Sequence, residues 1–405
     1  MTDDDGSFVS IVDRSDGIWP GLPRSWSYSS LHEAESCPRQ WMLNRSSYPD
    51  LWDEWGYPHR PGLPALLGDV VHGALEVVLR ALHDGGCSSI EDPAVVPTLR
   101  AIGGYTAVVQ QGVKRELDRL TANPRAIPRL EAFGIALSQR VPEMRQRVQA
   151  MVARTRFGDA AGNAAQPAVV PEGSTTAALA PGFHPEVDLR VPELKLAGRA
   201  DLITISDDGC SITDYKTGAV DESHASQLQL YALLWSRDQV RNPSALPVSR
   251  LTISYPTMDI DVPPPDSTDL DSLSQSTAAR IGDLEETLNS RPPIAIPNDE
   301  VCHLCDVRHL CDDYWEARST GVITDGSDWI DFEGTVTSRN GARSWRVSAS
   351  NDGADLLMRT ASQGVPFEVG ASIRVLDLHR EPVGESALPI ATLTGNSEVF
   401  LCKDA

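Results

Sequence analysis

Long hydrophobic runs are missing from this sequence: stretches such as Leu63 to Leu67 and Val77 to Leu82 fall far short of the roughly 20 residues a membrane-crossing helix needs. No membrane span is expected. A basic, apolar leader is missing too, since Met1–Asp5 is acidic and no apolar stretch follows, so no secretory signal is expected and the chain is placed in the cytoplasm. Positive charge is scarce, with 35 Lys and Arg against 57 Asp and Glu and a net charge of −22. Such a balance argues against a protein that coats nucleic acid indiscriminately, because a basic surface supplies most non-specific affinity. There is no internal repeat, and no G-x-x-x-x-G-K-[ST] motif that would power a nucleotide-driven motor.

What is present is uneven. From Lys114 to Arg156 ten Lys or Arg face four acids, a basic island that suggests a confined polyanion site, or else a solvated helical face. Ser30-Leu31-His32-Glu33 reads as a capping box opening a short helix that carries Cys37. Gly68 to Leu82 reads as an amphipathic helix, and residues from about 100 to 156 as helical and basic. The stretch 158–182 is rich in Ala, Pro, Gly and Ser and reads as a flexible loop. Strand signals follow at Glu186–Val191, Ala200–Ile205, Cys210–Tyr215 and Arg250–Tyr255, with helical spacing over His224–Trp235 and Leu270–Leu288. The tail, about 325–405, alternates in short stretches (Phe332–Thr337, Trp345–Ser348, Ser372–Leu378, Ile390–Leu393, Val399–Leu401), which predicts a separate, separable five-stranded OB-like barrel. Trp329, Trp345 and Phe332 are its candidate stacking aromatics.

The most informative passage is Gly198-Arg199-Ala200-Asp201-Leu202-Ile203, a turn at Asp207-Asp208-Gly209, then Asp214-Tyr215-Lys216-Thr217-Gly218. Side chains alternate along a strand, so Asp214 and Lys216 project to one side, with Asp201 on the neighbouring strand of the same hairpin. Two carboxylates held together repel unless a cation lies between them, and hard oxygen ligands suit Mg²⁺ or Mn²⁺. A lysine beside them can orient an attacking water and neutralise charge developing on a phosphate. A lone Asp-x-Lys is also what an ordinary surface hairpin carries.

These residues resemble the RecB-like branch of the PD-(D/E)XK nuclease superfamily, in which a G-x-x-D strand precedes a D-Y-K-T-G strand. Three further matches stand in the same order: Gly68-Asp69-Val70-Val71-His72-Gly73, Gln227-Leu228-Gln229-Leu230-Tyr231, and Ser29-Ser30-Leu31 with Cys37-Pro38-Arg39. The resemblance covers roughly residues 25–316, departs where Trp41 stands for a more usual tyrosine, and leaves 1–24 as an N-terminal tail. It implies a restriction-endonuclease-like α/β domain, a mixed sheet flanked by helices. It implies that Asp201, Asp214 and His72 hold the metal, that Lys216 acts on the water, and that Gln227 and Tyr231 position the DNA strand or the lysine. Glu186, on the preceding strand, is a candidate supporting carboxylate. Arg39, Arg140, Arg145 and Arg147 are the candidate nucleic-acid contacts.

Seven cysteines is an odd count, and Cys302, Cys305 and Cys311 form C-x2-C-x5-C with Cys37 far upstream. By spacing the four suit Zn²⁺ or a [4Fe–4S] cluster, with His303 and His309 as substitute zinc ligands. One early cysteine and three after the nuclease core is the arrangement of the AddB-like and CRISPR-associated exonucleases, so the resemblance implies a structural [4Fe–4S] cluster. The activity implied is metal-dependent hydrolysis of DNA, on single strands or ends and as an exonuclease rather than an endonuclease, in repair, recombination or defence, with a helicase or other subunit as partner. The alternative is a non-catalytic iron–sulfur DNA-binding scaffold of a helicase–nuclease complex. A third is a zinc-stabilised RNA-processing module.

Overall fold

The computed structural model of the chain describes residues 9–12, 19–157, 178–326, 328–360, 367–381 and 388–402. Within these, the strand β1 (Val9–Val12) is followed by helices α1 (Tyr28–Ser36), α2 (Pro38–Arg45), α3 (Leu63–Asp84), α4 (Val95–Ala101), α5 (Gly104–Leu120), α6 (Leu130–Gln139) and α7 (Val141–Arg154). Then come β2 (Gly182–Val191), β3 (Leu196–Ser206), β4 (Gly209–Tyr215), α8 (Ser223–Arg237), β5 (Val248–Ser254), β6 (Asp259–Val262), α9 (Ser267–Leu288), α10 (Asp299–Cys302) and α11 (Asp312–Ser319). The tail holds β7 (Trp329–Gly341), β8 (Ser344–Ala349), β9 (Asp355–Thr360), β10 (Ser372–Arg380), β11 (Ile390–Leu393) and β12 (Glu398–Cys402). The loop expected over 158–182 lies outside the described residues as far as 177.

Strands β2-β3-β4-β5-β6 form a mixed sheet in that order, antiparallel except for the parallel β4–β5 pair. α8 supplies the crossover that a parallel pair requires. Helices cover both faces. On one, α8, α9 and the α1–α2 pair bury Trp235, Leu284 and Trp41 with Ile203 and Ile212 of the sheet. On the other, α3 lays Val70, Val71, Ala74, Leu75, Val78 and Leu82 against α5, α7 and Leu202. These positions recur every three or four residues, so one stripe of the helix meets the core. α1 begins at Ser27, whose side chain accepts from the Ser30 N–H, rather than at Ser30. Ser30 Oγ instead accepts from Trp41 Nε1 at 3.1 Å, and Cys37 falls at the α1–α2 junction.

The tail closes into a five-stranded barrel, β7-β8-β9-β11-β10 with β10 returning to β7. Its membership differs from the sequence expectation in one strand. Asp355–Thr360 is the fifth member, whereas β12 pairs outside it with β10 and, in parallel, with β1. Met358 and Thr360 of β9 are buried, but the polar Asp355, Arg359 and Thr360 interrupt the alternation that marks a strand in sequence. Of the aromatic candidates, Trp345 and Phe332 are core, and Trp329 alone is exposed.

Buried charges tie the barrel to the rest of the described chain. Arg125, wholly buried, donates from Nε and Nη2 to the two Glu398 carboxylate oxygens of β12, and from Nη1 to the carbonyls of Pro58 and Asp306. Arg308 binds Asp331 and Asp377, and Arg374 binds Glu333, Asp312 and the His309 carbonyl. His309 stacks on Phe400 with ring centres 3.8 Å apart, inside an apolar cluster that joins Val307, Tyr314 and Trp315 to Leu376. Cutting the chain before β7 would strand Arg125 and Arg308 without their carboxylates, and a buried unpaired charge costs several kcal/mol.

Candidate active site and cysteine pocket

Three carboxylates meet in one row across the sheet. The β2–β3 register sets Pro185 opposite Leu202 and Val187 opposite Ala200, which puts Glu186 level with Asp201. The β3–β4 register ends at Leu202 opposite Thr213, so one step on Asp201 stands level with Asp214. There the ladder opens. Asp201 Oδ2 accepts the Tyr215 N–H at 2.7 Å, and Glu186 takes a left-handed backbone, φ 55°. A non-glycine residue in that region is strained, and such strain clusters at functional sites.

Lys216, just beyond β4, places Nζ 2.8 Å from Asp214 Oδ2. The approach is too oblique for a hydrogen bond, so among the described residues this oxygen is buried with no hydrogen-bond partner although a cation lies beside it. Nζ donates to Gln227 Oε1 at 2.8 Å, and Gln227 Nε2 donates to the Tyr231 hydroxyl at 2.9 Å. Gln227 and Tyr231 are four apart on α8 and so share a face. A methyl group at Gly198 would come within 2.8 Å of the Tyr231 ring, and one at Gly68 within 2.9 Å of Thr217 Oγ1. The glycines of the two motifs therefore let α8 and α3 close on the catalytic-type hairpin.

Electrostatics follow burial. Removal from water and then the Asp214 charge push the Asp201 carboxyl well up, against the Tyr215 N–H. Burial, then Glu76, pushes Glu186 up to about 7. Burial holds the His72 imidazole below its usual range, with Asp214 and Lys216 as its charged neighbours. His72, Asp201, Asp214, Lys216, Gln227 and Tyr231 are thus brought together. No three His, Cys, Asp or Glu side chains among the described residues form a ready-made ion-binding set. The chemistry of Asp201 and Asp214 nonetheless fits a hard divalent cation, and the unsatisfied Asp214 oxygen is the atom such an ion would take up.

Cys37, Cys302, Cys305 and Cys311 are all buried, all free, and line one pocket. Burial pushes the Cys302 and Cys305 thiols up and Cys311 up to about 12. The four do not gather as they would around a single ion. His309 is committed to the Tyr57 hydroxyl and Phe400, and His303 is exposed beside Asp299, so neither joins the pocket.

The arginines divide. Arg39 lines the cysteine pocket, donating to the Pro293 carbonyl and pairing with Asp313. Arg147 donates to the Thr217 carbonyl at 3.3 Å and pairs with Glu143, so α7 abuts the strand that carries Lys216. Arg145 is half-buried, its Nε without a hydrogen-bond partner among the described residues, and Arg140 is exposed. Part of the basic island is consumed internally: Arg125 by Glu398, Arg154 by Asp259 and the Pro256 carbonyl, Arg119 by Glu116.

The family model described as the PD-(D/E)XK nuclease superfamily matches residues 25–312. The chain belongs to that superfamily. Membership of the PD-(D/E)XK superfamily implies a nuclease, and PD-(D/E)XK nucleases usually use divalent metals such as Mg²⁺. No curated protein matches the chain. Two solved structures are similar to parts of this PD-(D/E)XK chain. The tetrameric p202 HIN2 is 14% identical with a TM-score of 0.16, over 18% of this chain and 40% of its own. SSO0001 is 18% identical with a TM-score of 0.20, over 32% of this chain and 60% of its own. The chain spans less than two thirds of either. No helix among the described residues is long and apolar enough to cross a membrane. One feature next to the site was missed in sequence: His224 and Tyr255 are bonded to each other beside Lys216, and the spacing 224, 227, 231 along α8 was its signal.

Proposed function

We propose that this PD-(D/E)XK protein is a RecB-like, metal-dependent nuclease that hydrolyses DNA phosphodiester bonds on single strands or ends, acting as an exonuclease. The observation that carries the reading is the placement of Lys216, held between Asp214 and Gln227 in front of the Asp201–Asp214 pair. An ammonium group has three N–H donors. Gln227 takes one, and Asp214 lies 2.8 Å away without accepting a hydrogen bond, which leaves two for water or a phosphate oxygen. Lys216 so held supports the approach of water to phosphorus and offsets charge on the phosphate oxygens. Asp201, Asp214 and His72 would hold Mg²⁺ or Mn²⁺, whose chemistry there is Lewis-acid activation of phosphate and water. Glu186 supports that set from β2. Tyr231, fixed through Gly198, keeps Gln227 and hence Lys216 in one orientation. Arg145 and Arg147 on α7, with Arg140, supply the phosphate contacts of the strand.

The cysteine pocket supports a structural [4Fe–4S] cluster, as in AddB-like and CRISPR-associated exonucleases. A cluster places iron and sulfide between its four thiolates and spreads them wider than one tetrahedral ion does. That agrees with four buried thiols around a common pocket that do not converge on a point. The barrel is read as OB-like, with a helicase or other repair or defence subunit as the partner. Purified protein incubated with labelled single- and double-stranded DNA and RNA, with Mg²⁺, Mn²⁺ or EDTA, tests the reading. Cleavage of DNA that needs the metal is expected, and no cleavage of any nucleic acid with either metal would overturn it.

A further inference from the structure

The β4–β5 register sets Tyr215 opposite Ser254, and the Lys216 N–H donates to the Ser254 carbonyl at 2.9 Å. Tyr255 therefore leaves the sheet at the level of Lys216. Its hydroxyl lies 2.7 Å from His224 Nδ1. His224 opens the face of α8 that continues, three and seven residues on, into Gln227 and Tyr231, the two residues that hold Lys216. The charged groups that act on it are Lys216, Asp214 and Asp221.

Both partners are anchored from behind. Tyr28 donates to the Ser223 carbonyl at the start of α8, and Arg154 donates to the Tyr255 carbonyl. Tyr255 is buried, whereas His224 is only partly covered and remains within reach of a substrate. A neutral imidazole carries its proton on one nitrogen, and the bond made by the other decides which. Burial, then the Lys216 charge, hold this ring below its usual range, on the side of the neutral form.

We propose that His224 is a substrate-binding residue and Tyr255 its positioning residue: the tyrosine hydroxyl donates to Nδ1, the proton stays on Nε2, and that N–H binds a phosphate oxygen of the nucleotide beside Lys216. The inference rests on the nuclease reading above. It gives the site two imidazoles with different tasks, His72 toward the carboxylates and His224 toward the strand. A neutral donor orients a phosphate without adding charge to a site whose Lys216 already compensates Asp214.

The test is the affinity of full-length protein for a fluorescein-labelled single-stranded oligonucleotide in EDTA, over a salt series, for wild type, H224A, H224Q and Y255F. H224A is expected to bind at least about tenfold more weakly, the loss of one hydrogen bond to a charged acceptor. Its salt slope should not change, since a neutral group releases no counterion. H224Q, which keeps an N–H donor near the Nε2 position, should bind within about twofold of wild type, and Y255F should fall between, as expected for one neutral hydrogen bond and its support. H224A bound as tightly as wild type, H224Q as weak as H224A, or a slope smaller by about 0.7 in H224A would each overturn the assignment, as would a wild type that does not bind. Melting temperatures close to wild type exclude misfolding, and Y255F removes only a hydroxyl. Cleavage by wild type in Mg²⁺ separates the two readings. Binding without cleavage removes the nuclease reading and leaves the His224 contact measured; cleavage with H224A binding normally removes only the contact.

Discussion

Two of the site's residues, Gln227 and Lys216, are placed by a third, Tyr231. Tyr231 bonds Gln227, Gln227 bonds Lys216, and Gly198 leaves the space in which the Tyr231 ring lies. Asp214→Ala and Lys216→Ala should each abolish Mg²⁺- or Mn²⁺-dependent cleavage while leaving DNA binding nearly intact, because groups that act in the transition state set turnover. Gel assays of cleavage beside anisotropy measurements of binding check this. Gly198→Ala should reduce kcat about tenfold through the displaced tyrosine, with KM little changed, and Tyr231→Phe should give a milder version of the same loss. Full activity in Gly198→Ala would show that Lys216 keeps its place without the relay. Asp214 and Lys216 could be placed together from sequence because side chains alternate along a strand, whereas His72, Gln227 and Tyr231 were named only through the family resemblance. The row formed with Glu186 was not legible in sequence, since its level with Asp201 depends on strand register and its backbone on a local distortion. The internal partners of Arg39 and Arg125 were not legible either, because a positive charge in sequence does not reveal whether a carboxylate or carbonyl from a distant segment meets it.

Among elements, the contact between β12 and the segment around Arg125 governs how the barrel holds on. Burial raises the Glu398 carboxyl, but Arg125, with Arg60 and Arg129, more than offsets this and holds it below its ordinary value of 4.5. Asp331 is likewise held below 3.8 by Arg308 despite its burial. A carboxylate depressed in the folded state stabilises fully above its unfolded pKa and loses that contribution as pH falls through the folded one. The barrel contact should therefore be intact above about pH 5 and weaken progressively below pH 4. Thermal melts over that range are expected to show a steep loss in wild type. Glu398→Ala should cost about 3–5 kcal/mol by leaving Arg125 buried and unpaired, and flatten the acid dependence. The strand pattern of the barrel was readable, but its attachment was not, since Arg308 and Asp331 meet only after the fold is made. The cysteine segment sits in the same contact. Protein purified without oxygen should be brown with about four irons per chain, and Cys305→Ala should bleach it and lower the melting temperature. A colourless protein with one zinc would replace the iron assignment, and a metal-free protein of unchanged stability would remove the clamp.

For the whole molecule, the net charge of −22 makes the site of strand binding a local matter. A long polyanion approaches an acidic body only where that body is locally basic. On the function proposed above, α7 is that place, set at the Lys216 end of the sheet through Arg147 on the Thr217 carbonyl. Reversing charge at Arg145 and Arg147 should weaken single-stranded DNA binding and lower its salt slope by about 0.7 per lost phosphate contact. An unchanged slope would leave α7 as a solvated face.

Cys37 and the three later cysteines line one pocket although about 265 residues of chain separate the first from the second. During synthesis Cys37 leaves the ribosome long before its partners do. At roughly 5–20 residues per second the interval is some tens of seconds, during which the early thiol waits alone and exposed to oxidation. Whatever the pocket takes up is loaded only after the residues of the sheet and α8 have been synthesised, so the loaded pocket marks chains whose translation has passed that whole region.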